Sequence, residues 1–134
     1  MGSFLGSFWN RILGERGERT AAAFLKKKGM RIIVRNYRGS GGEIDLIARD
    51  GETLVFVEVK TRKVGAPAEA VDEEKQRRIS RAALAFLKKH GLLNPGVPSR
   101  FDVVAINWPD ETKRPIIEHF PNAFESVGKG QMFG

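Results

Sequence analysis

Glu18, Glu43, Asp45, Glu58 and Lys60 are the residues of this chain whose types and spacing could do chemistry. Asp45 sits among Ile44, Leu46 and Ile47, and Glu58 sits between Val57 and Val59. A carboxylate set in an apolar, β-branched run accepts a desolvation cost, and such a cost usually has a reason. Asp50-Gly51 separates the two runs, Ile44 to Ala48 and Leu54 to Val59, and is a strong hairpin signal. With Asp50 and Gly51 as the two central residues of a type I′ turn, Arg49 pairs with Glu52, Asp45 with Phe56 and Glu43 with Glu58. Cross-strand partners project to one side, so Glu43, Asp45, Glu58 and Lys60 converge, with Asp45 and Glu58 as diagonal neighbours about 5–8 Å apart at Cβ. A three-residue turn would instead put Asp45 on the opposite face.

Two carboxylates this close repel unless something positive lies between them. Lys60 offsets part of that repulsion. A hard cation such as Mg²⁺, which takes carboxylate, water and phosphate oxygens together, offsets more. A metal on Asp45 and Glu58 could position a water and stabilise charge on a scissile phosphodiester. Lys60 could orient or deprotonate that water, or neutralise the phosphate. The competing reading is an exposed sheet face laced with cross-strand ion pairs. His90 and His119 have no partner spacing for a metal site or a catalytic triad and read as structural or exposed.

The elements that must position these groups follow from periodicity. Residues 1–14 form an apolar, amphipathic arm with helical spacing at Leu5, Phe8, Trp9 and Ile12. A first helix spans 15–28, with Lys26, Lys27 and Lys28 before Gly29 as its stop. Glu18 precedes Ala22 and Leu25 on that helix by four and seven residues, so it faces the buried side and could reach the same site. The competing reading of Glu18 is a first-turn acid favouring the helix N-terminus. A strand around Ile32 to Val34 leads into Arg35-Asn36-Tyr37-Arg38, a glycine-rich turn and the hairpin over 43–61. A loop over 61–70 follows. Asp72 is a plausible N-cap for a helix over 73–90, whose apolar stripe is Ile79, Ala83, Phe86 and Leu87. Val103 to Ile106 suit a strand buried on both faces, Ile116 to Phe120 form a short last strand, and 125–134 reads as a tail. The order helix, three strands, helix, two strands predicts one mixed α/β sheet packed by helices, in a single domain over 15–124.

The chain has 134 residues, 41% of them hydrophobic and 29% charged, as expected of a globular domain. No apolar run reaches the ~18–20 residues needed to cross a bilayer. With no cysteine there are no disulfides and no thiolate chemistry, which fits a cytoplasmic location. The net charge of +7 favours polyanions, nucleic acid above all, over a merely soluble basic surface. Arg35, Arg38, Arg62, Lys63, Lys75 and Arg78 are the candidate phosphate contacts.

Asp45 followed by Glu58-Val59-Lys60, after a helix bearing Glu18, resembles the PD-(D/E)xK nuclease superfamily. Five blocks resemble more narrowly the bacterial YraN-like family, grouped with Holliday-junction-resolvase-like endonucleases. They are Gly17-Glu18, Arg35-Asn36-Tyr37-Arg38, Gly42-Glu43-Ile44-Asp45-Leu46-Ile47, Val57-Glu58-Val59-Lys60-Thr61-Arg62 and Arg100-Phe101-Asp102-Val103-Val104. The resemblance covers about residues 17–124. It implies a restriction-endonuclease-like αβββαβ core, with a mixed central sheet flanked by helices. It also implies Mg²⁺- or Mn²⁺-dependent phosphodiester cleavage; the substrate expected is DNA, duplex or branched, and a two-fold homodimer would suit two symmetrically placed strands. Asp45 and Glu58 then take the metal, Lys60 the catalytic lysine position, and Glu18 the role of auxiliary acid and further ligand. Ile44 stands where the superfamily's motif has proline. Gln76 matches a glutamine that some relatives use near the site, and Glu43 is a further auxiliary candidate.

Overall fold

The structure, a computed structural model, describes residues 3–63, 71–109 and 114–126. The loop expected over 61–70 begins later: residues 61–63 continue the third strand of the sheet beside its parallel neighbour, while 64–70 and most of the expected tail lie outside the described residues. The elements run α1 (Ser3–Lys27), β1 (Arg31–Gly39), β2 (Gly42–Asp50), β3 (Thr53–Lys63), α2 (Glu73–Lys89), β4 (Ser99–Trp108) and β5 (Ile116–Phe124). This is the expected order. The expected arm and first helix are one continuous helix, and side chains before Gly14 lie outside the described residues. Among the described residues no helix is long and apolar enough to cross a membrane.

The five strands form one sheet in the order β1-β2-β3-β4-β5. Neighbours are antiparallel except β3 and β4, which run parallel and are joined through α2. A parallel pair needs such a crossover, whereas the other pairs close through short connections. Asp72 caps α2 as its residue type predicts: its Oδ1 accepts a hydrogen bond from the Lys75 amide at 2.8 Å.

The two helices lie on opposite faces, and alternation along the strands feeds a core to each. Under α1, Ala21, Ala22 and Leu25 meet Leu46, Ala48, Val55, Val57, Val104 and Ile106. Under α2, Ile79, Ala83, Phe86 and Leu87 meet Ile44, Ile47, Leu54, Phe56 and Phe101. Phe86 stands edge-on to Tyr37 and Phe56 at centroid distances of 5.3 and 6.2 Å. Such pairs add about 0.5–1.5 kcal/mol each beyond the area they bury. The helices do not cover the faces equally. Val104 and Ile106 are buried beneath α1, but Val103 and Ala105 are only partly buried, because α2 lies chiefly over β1 and β2. The expectation of a strand buried on both faces at 103–106 therefore holds on one side only.

Candidate metal and phosphodiester site

The β2–β3 hairpin is in a different register from the one expected. Asp50 pairs with Thr53, Arg49 with Leu54, Ile47 with Phe56 and Leu46 with Val57. The turn is therefore centred on Gly51-Glu52, not Asp50-Gly51. Gly51 has φ +62, while Glu52 does not have positive φ, which is the requirement of a type II′ turn rather than type I′. The shift is two residues in the pairing sum, so strand parity survives. One step beyond the last pair, Asp45 stands directly opposite Glu58 rather than diagonal to it, and Glu43 no longer pairs with Glu58.

The ladder ends at that step for a local reason. Leu46 and Ala48 pack under α1 while Ile44 and Ile47 pack under α2, so the alternation of β2 breaks between Ile44 and Leu46. On β1 the residue facing the break is Asn36, held at φ +52. Asparagine is among the few non-glycine residues that take this conformation readily. The strands part here, and the Val59 amide, deprived of a strand partner, donates to Asp45 Oδ2 at 2.8 Å. Asp45 thus caps the split end of the sheet with its side chain.

Glu58 is almost fully buried, at 3% side-chain exposure, and its Oε2 lies 2.6 Å from Lys75 Nζ of α2. The Asp45 and Glu58 carboxyl groups also hydrogen-bond each other. Burial, then the charge of Glu58 and that shared hydrogen bond, push the Asp45 carboxyl up to about 8, against a smaller opposing effect of the Val59 amide. Burial also raises Glu18, which hydrogen-bonds Asn36 and Asp45 from the α1 side. Burial works against the Lys75 charge, but the hydrogen bond and charge of Glu58 outweigh it and its pKa is raised. The site is a buried pair of acids, Asp45 and Glu58, with Glu18 beside Asp45 and one ammonium, that of Lys75, already drawn in.

Glu18 reaches the split because Gly17 lets α1 approach β3. A Cβ at Gly17 would run into the Thr61 hydroxyl. Arg16 anchors the same turn, with its guanidinium 4.0 Å from the centre of the Trp108 ring at the end of β4.

Lys60 follows Glu58 by two residues on β3 and so shares the α2 face with it. It lines a groove of about 590 Å³ together with Arg62 and Gln76, whose Nε2 donates to the Val71 carbonyl at 2.7 Å. Of the other expected phosphate contacts, Lys75 is committed to Glu58. Arg38 pairs with Glu43 at 3.1 Å on the surface of β1–β2, and the Glu43 charge still adds to the upward push on Glu18. Arg78 pairs loosely with Glu74. Arg38, Lys75 and Arg78 line a second groove, of about 630 Å³, between α2 and the β1–β2 turn. Arg35 is exposed on β1, opposite Leu46, and the side chain of Lys63 lies outside the described residues.

Two carboxyl oxygen donors with a buried like-charge conflict suit a hard cation. Among the described residues no three metal-ligating side chains converge. Sequence reasoning missed Asn36 and the inward turn of Lys75. The first had a signal, an asparagine within a strand; the second had none, since a lysine on the first turn of a helix looks like any other surface charge. It also missed the fully buried Asp102, which accepts from Arg100 Nε at 3.0 Å and the Asn122 amide at 2.9 Å, with His119 Nε2 at 2.8 Å. His119 is structural, as its sequence reading had it. Its ring stands against Phe24 on the α1 face, away from the acids.

A family model described as "Uncharacterised protein family UPF0102" matches residues 17–106. A UPF0102 protein of Geobacter sulfurreducens is 56% identical over 125 residues, covering 90% of this chain and 94% of the relative. One from Geotalea uraniireducens is 51% identical over 119 residues, 87% and 91% of the two chains. One from Rhodopirellula baltica is 47% identical over 131 residues, 93% of this chain and 77% of the relative.

Proposed function

The chain belongs to the UPF0102 family, the YraN-like group of the PD-(D/E)xK nuclease superfamily, and from that premise we propose that it is a metal-dependent DNA endonuclease that hydrolyses phosphodiesters, with branched and recombination-intermediate DNA among its substrates. The observation that carries this reading is the Asp45–Glu58 pair. It sits where the β2–β3 ladder stops, and its burial and mutual repulsion push Asp45 up to about 8. A protein that only bound DNA would gain little from burying two such acids side by side.

Asp45 and Glu58 would hold Mg²⁺ or Mn²⁺. When bound, such an ion supplies a Lewis acid for the phosphoryl oxygen and lowers the pKa of a water. The rest is the work of the chain. Asp45 is held in place by the Val59 amide and by Glu18 with Asn36 behind it. Lys60 neutralises the phosphate or orients the attacking water from the same face as Glu58. Arg62 adds positive charge two residues further along β3, and the net charge of +7 draws DNA in over longer range. A homodimer would present two sites to two symmetrically placed strands, and the cytoplasm is where such a substrate is found.

One observation favours a second reading, a nucleic-acid-binding module whose site does not cut and which acts with a partner protein. Lys75 already neutralises Glu58 without a metal. The two readings separate on a panel of duplex, flap and four-way-junction DNA with Mg²⁺ or Mn²⁺. Cleavage that needs the metal and disappears in Lys60→Ala and Asp45→Asn supports the endonuclease. Salt-sensitive binding with no cutting of any substrate supports the module.

A further inference from the structure

Among the described residues, the face that carries Glu58 and Lys60 continues past the site onto a stretch of sheet that no helix fully covers. The register places Glu58, Val103 and Phe120 in one row and Lys60, Ala105 and Glu118 in the next. Because α2 lies chiefly over β1 and β2, Val103 and Ala105 are only partly buried and Phe120, on the edge strand, is 47% exposed. With strands about 4.8 Å apart, the Phe120 backbone lies about 10 Å from that of Glu58. Val103, Ala105, Glu118 and Phe120, with Lys60 and Arg62 at one end, line the groove of about 590 Å³.

We propose that this groove binds an unpaired nucleotide of the DNA strand, its phosphate at Lys60 and Arg62 and its base stacked on Phe120. The inference rests on the nucleic-acid reading of the site and adds the form of strand it takes. The groove is cationic at one end, apolar along its floor and aromatic at the other, which matches a nucleotide's anionic phosphate and flat base. The small side chain of Ala105 keeps the floor low. A base inside a duplex has both faces covered by its neighbours, so only an unpaired one can offer a face to the ring. Glu118 repels phosphate, which orients the strand with its backbone towards Lys60. It can also accept a hydrogen bond from an exocyclic amino group. The volume falls within the roughly 300–1,000 Å³ typical of ligand sites.

The test is binding of the full chain, in EDTA, to a duplex with a single-stranded flap and to a blunt duplex of the same sequence. Wild type is expected to favour the flap. Phe120→Ala should reduce flap affinity roughly five-fold or more and leave the blunt duplex unchanged, as expected for loss of one base stack. Phe120→Trp should retain the preference, and Phe120→Leu should behave like alanine. A 2-aminopurine in the flap should be quenched by wild type and not by Phe120→Ala. Equal affinity for the two DNAs, or a leucine variant that behaves like wild type, would overturn the assignment. No step requires cleavage, so a chain that cuts nothing can still pass, and one that cuts but ignores the flap fails here alone.

Discussion

Lys75 Nζ lies 2.6 Å from Glu58 Oε2, so an ammonium group on α2 already satisfies an oxygen that a divalent cation would need. Lys75 and the metal should therefore compete. Calorimetric titration with Mn²⁺ is expected to show several-fold tighter binding in Lys75→Met than in wild type, and no gain in Lys75→Arg, which keeps the charge. If Lys75 served only to contact phosphate, both variants would titrate like wild type.

Asp45 should make the metal-free protein less stable as pH rises. Its folded pKa of about 8 lies above the ordinary 3.8. Between those values the folded state holds a proton that the unfolded state has released. Stability contributed by that proton is complete below about pH 4 and lost progressively up to about pH 8. A tenfold difference in proton affinity between the two states is worth about 1.4 kcal/mol, so a loss of a few kcal/mol is expected across that window. Urea unfolding in chelator at pH 5, 7 and 9 should show it, and Asp45→Asn should flatten the profile. A wild-type profile as flat as the variant's would contradict the burial and repulsion inferred at the split.

Gly17 is expected to be coupled to Thr61. Alanine is favoured over glycine inside a helix by about 1 kcal/mol, but a Cβ at this position meets the Thr61 hydroxyl. Overpacking of this kind typically costs about 1–3 kcal/mol. Gly17→Ala should be destabilising alone and less so in a Thr61→Ala background, with a coupling of about 1–2 kcal/mol in a double-mutant cycle. Additive effects would mean that α1 shifts without strain.

Asp102 should be a stability residue without a part in metal binding. It lies on the α1 face, opposite Val57, and fixes β5 through His119 and the Asn122 amide. Asp102→Ala leaves the Asn122 amide and His119 without this partner and Arg100 with Asp50 alone, at a cost of ~3 kcal/mol. Denaturant midpoints should fall while Mn²⁺ affinity in the folded protein stays unchanged.

Periodicity and capping were enough to read the order of elements in this chain. Ile79, Ala83, Phe86 and Leu87 mark α2 because a helix must bury one stripe, and Asp72 caps it because the first amides need an acceptor. The acids stood out because Asp45 and Glu58 interrupt apolar strands. The conclusion that they meet was sound, though the register behind it was not. Asp50-Gly51 has the composition of one turn and takes the geometry of another, and side-chain parity survived because the displacement was even. What no local pattern could supply is long-range. The opening of β2 from β3 needs Asn36 on a third strand, and the 2.6 Å contact of Lys75 with Glu58 needs α2 laid over the sheet. Among the described residues, the thinly covered stretch from Val103 to Phe120 exists because α2 lies chiefly over β1 and β2. Short-range sterics and burial set each element's type and inward face, but which charges share a low-dielectric space depends on how the packed helices leave or cover the sheet.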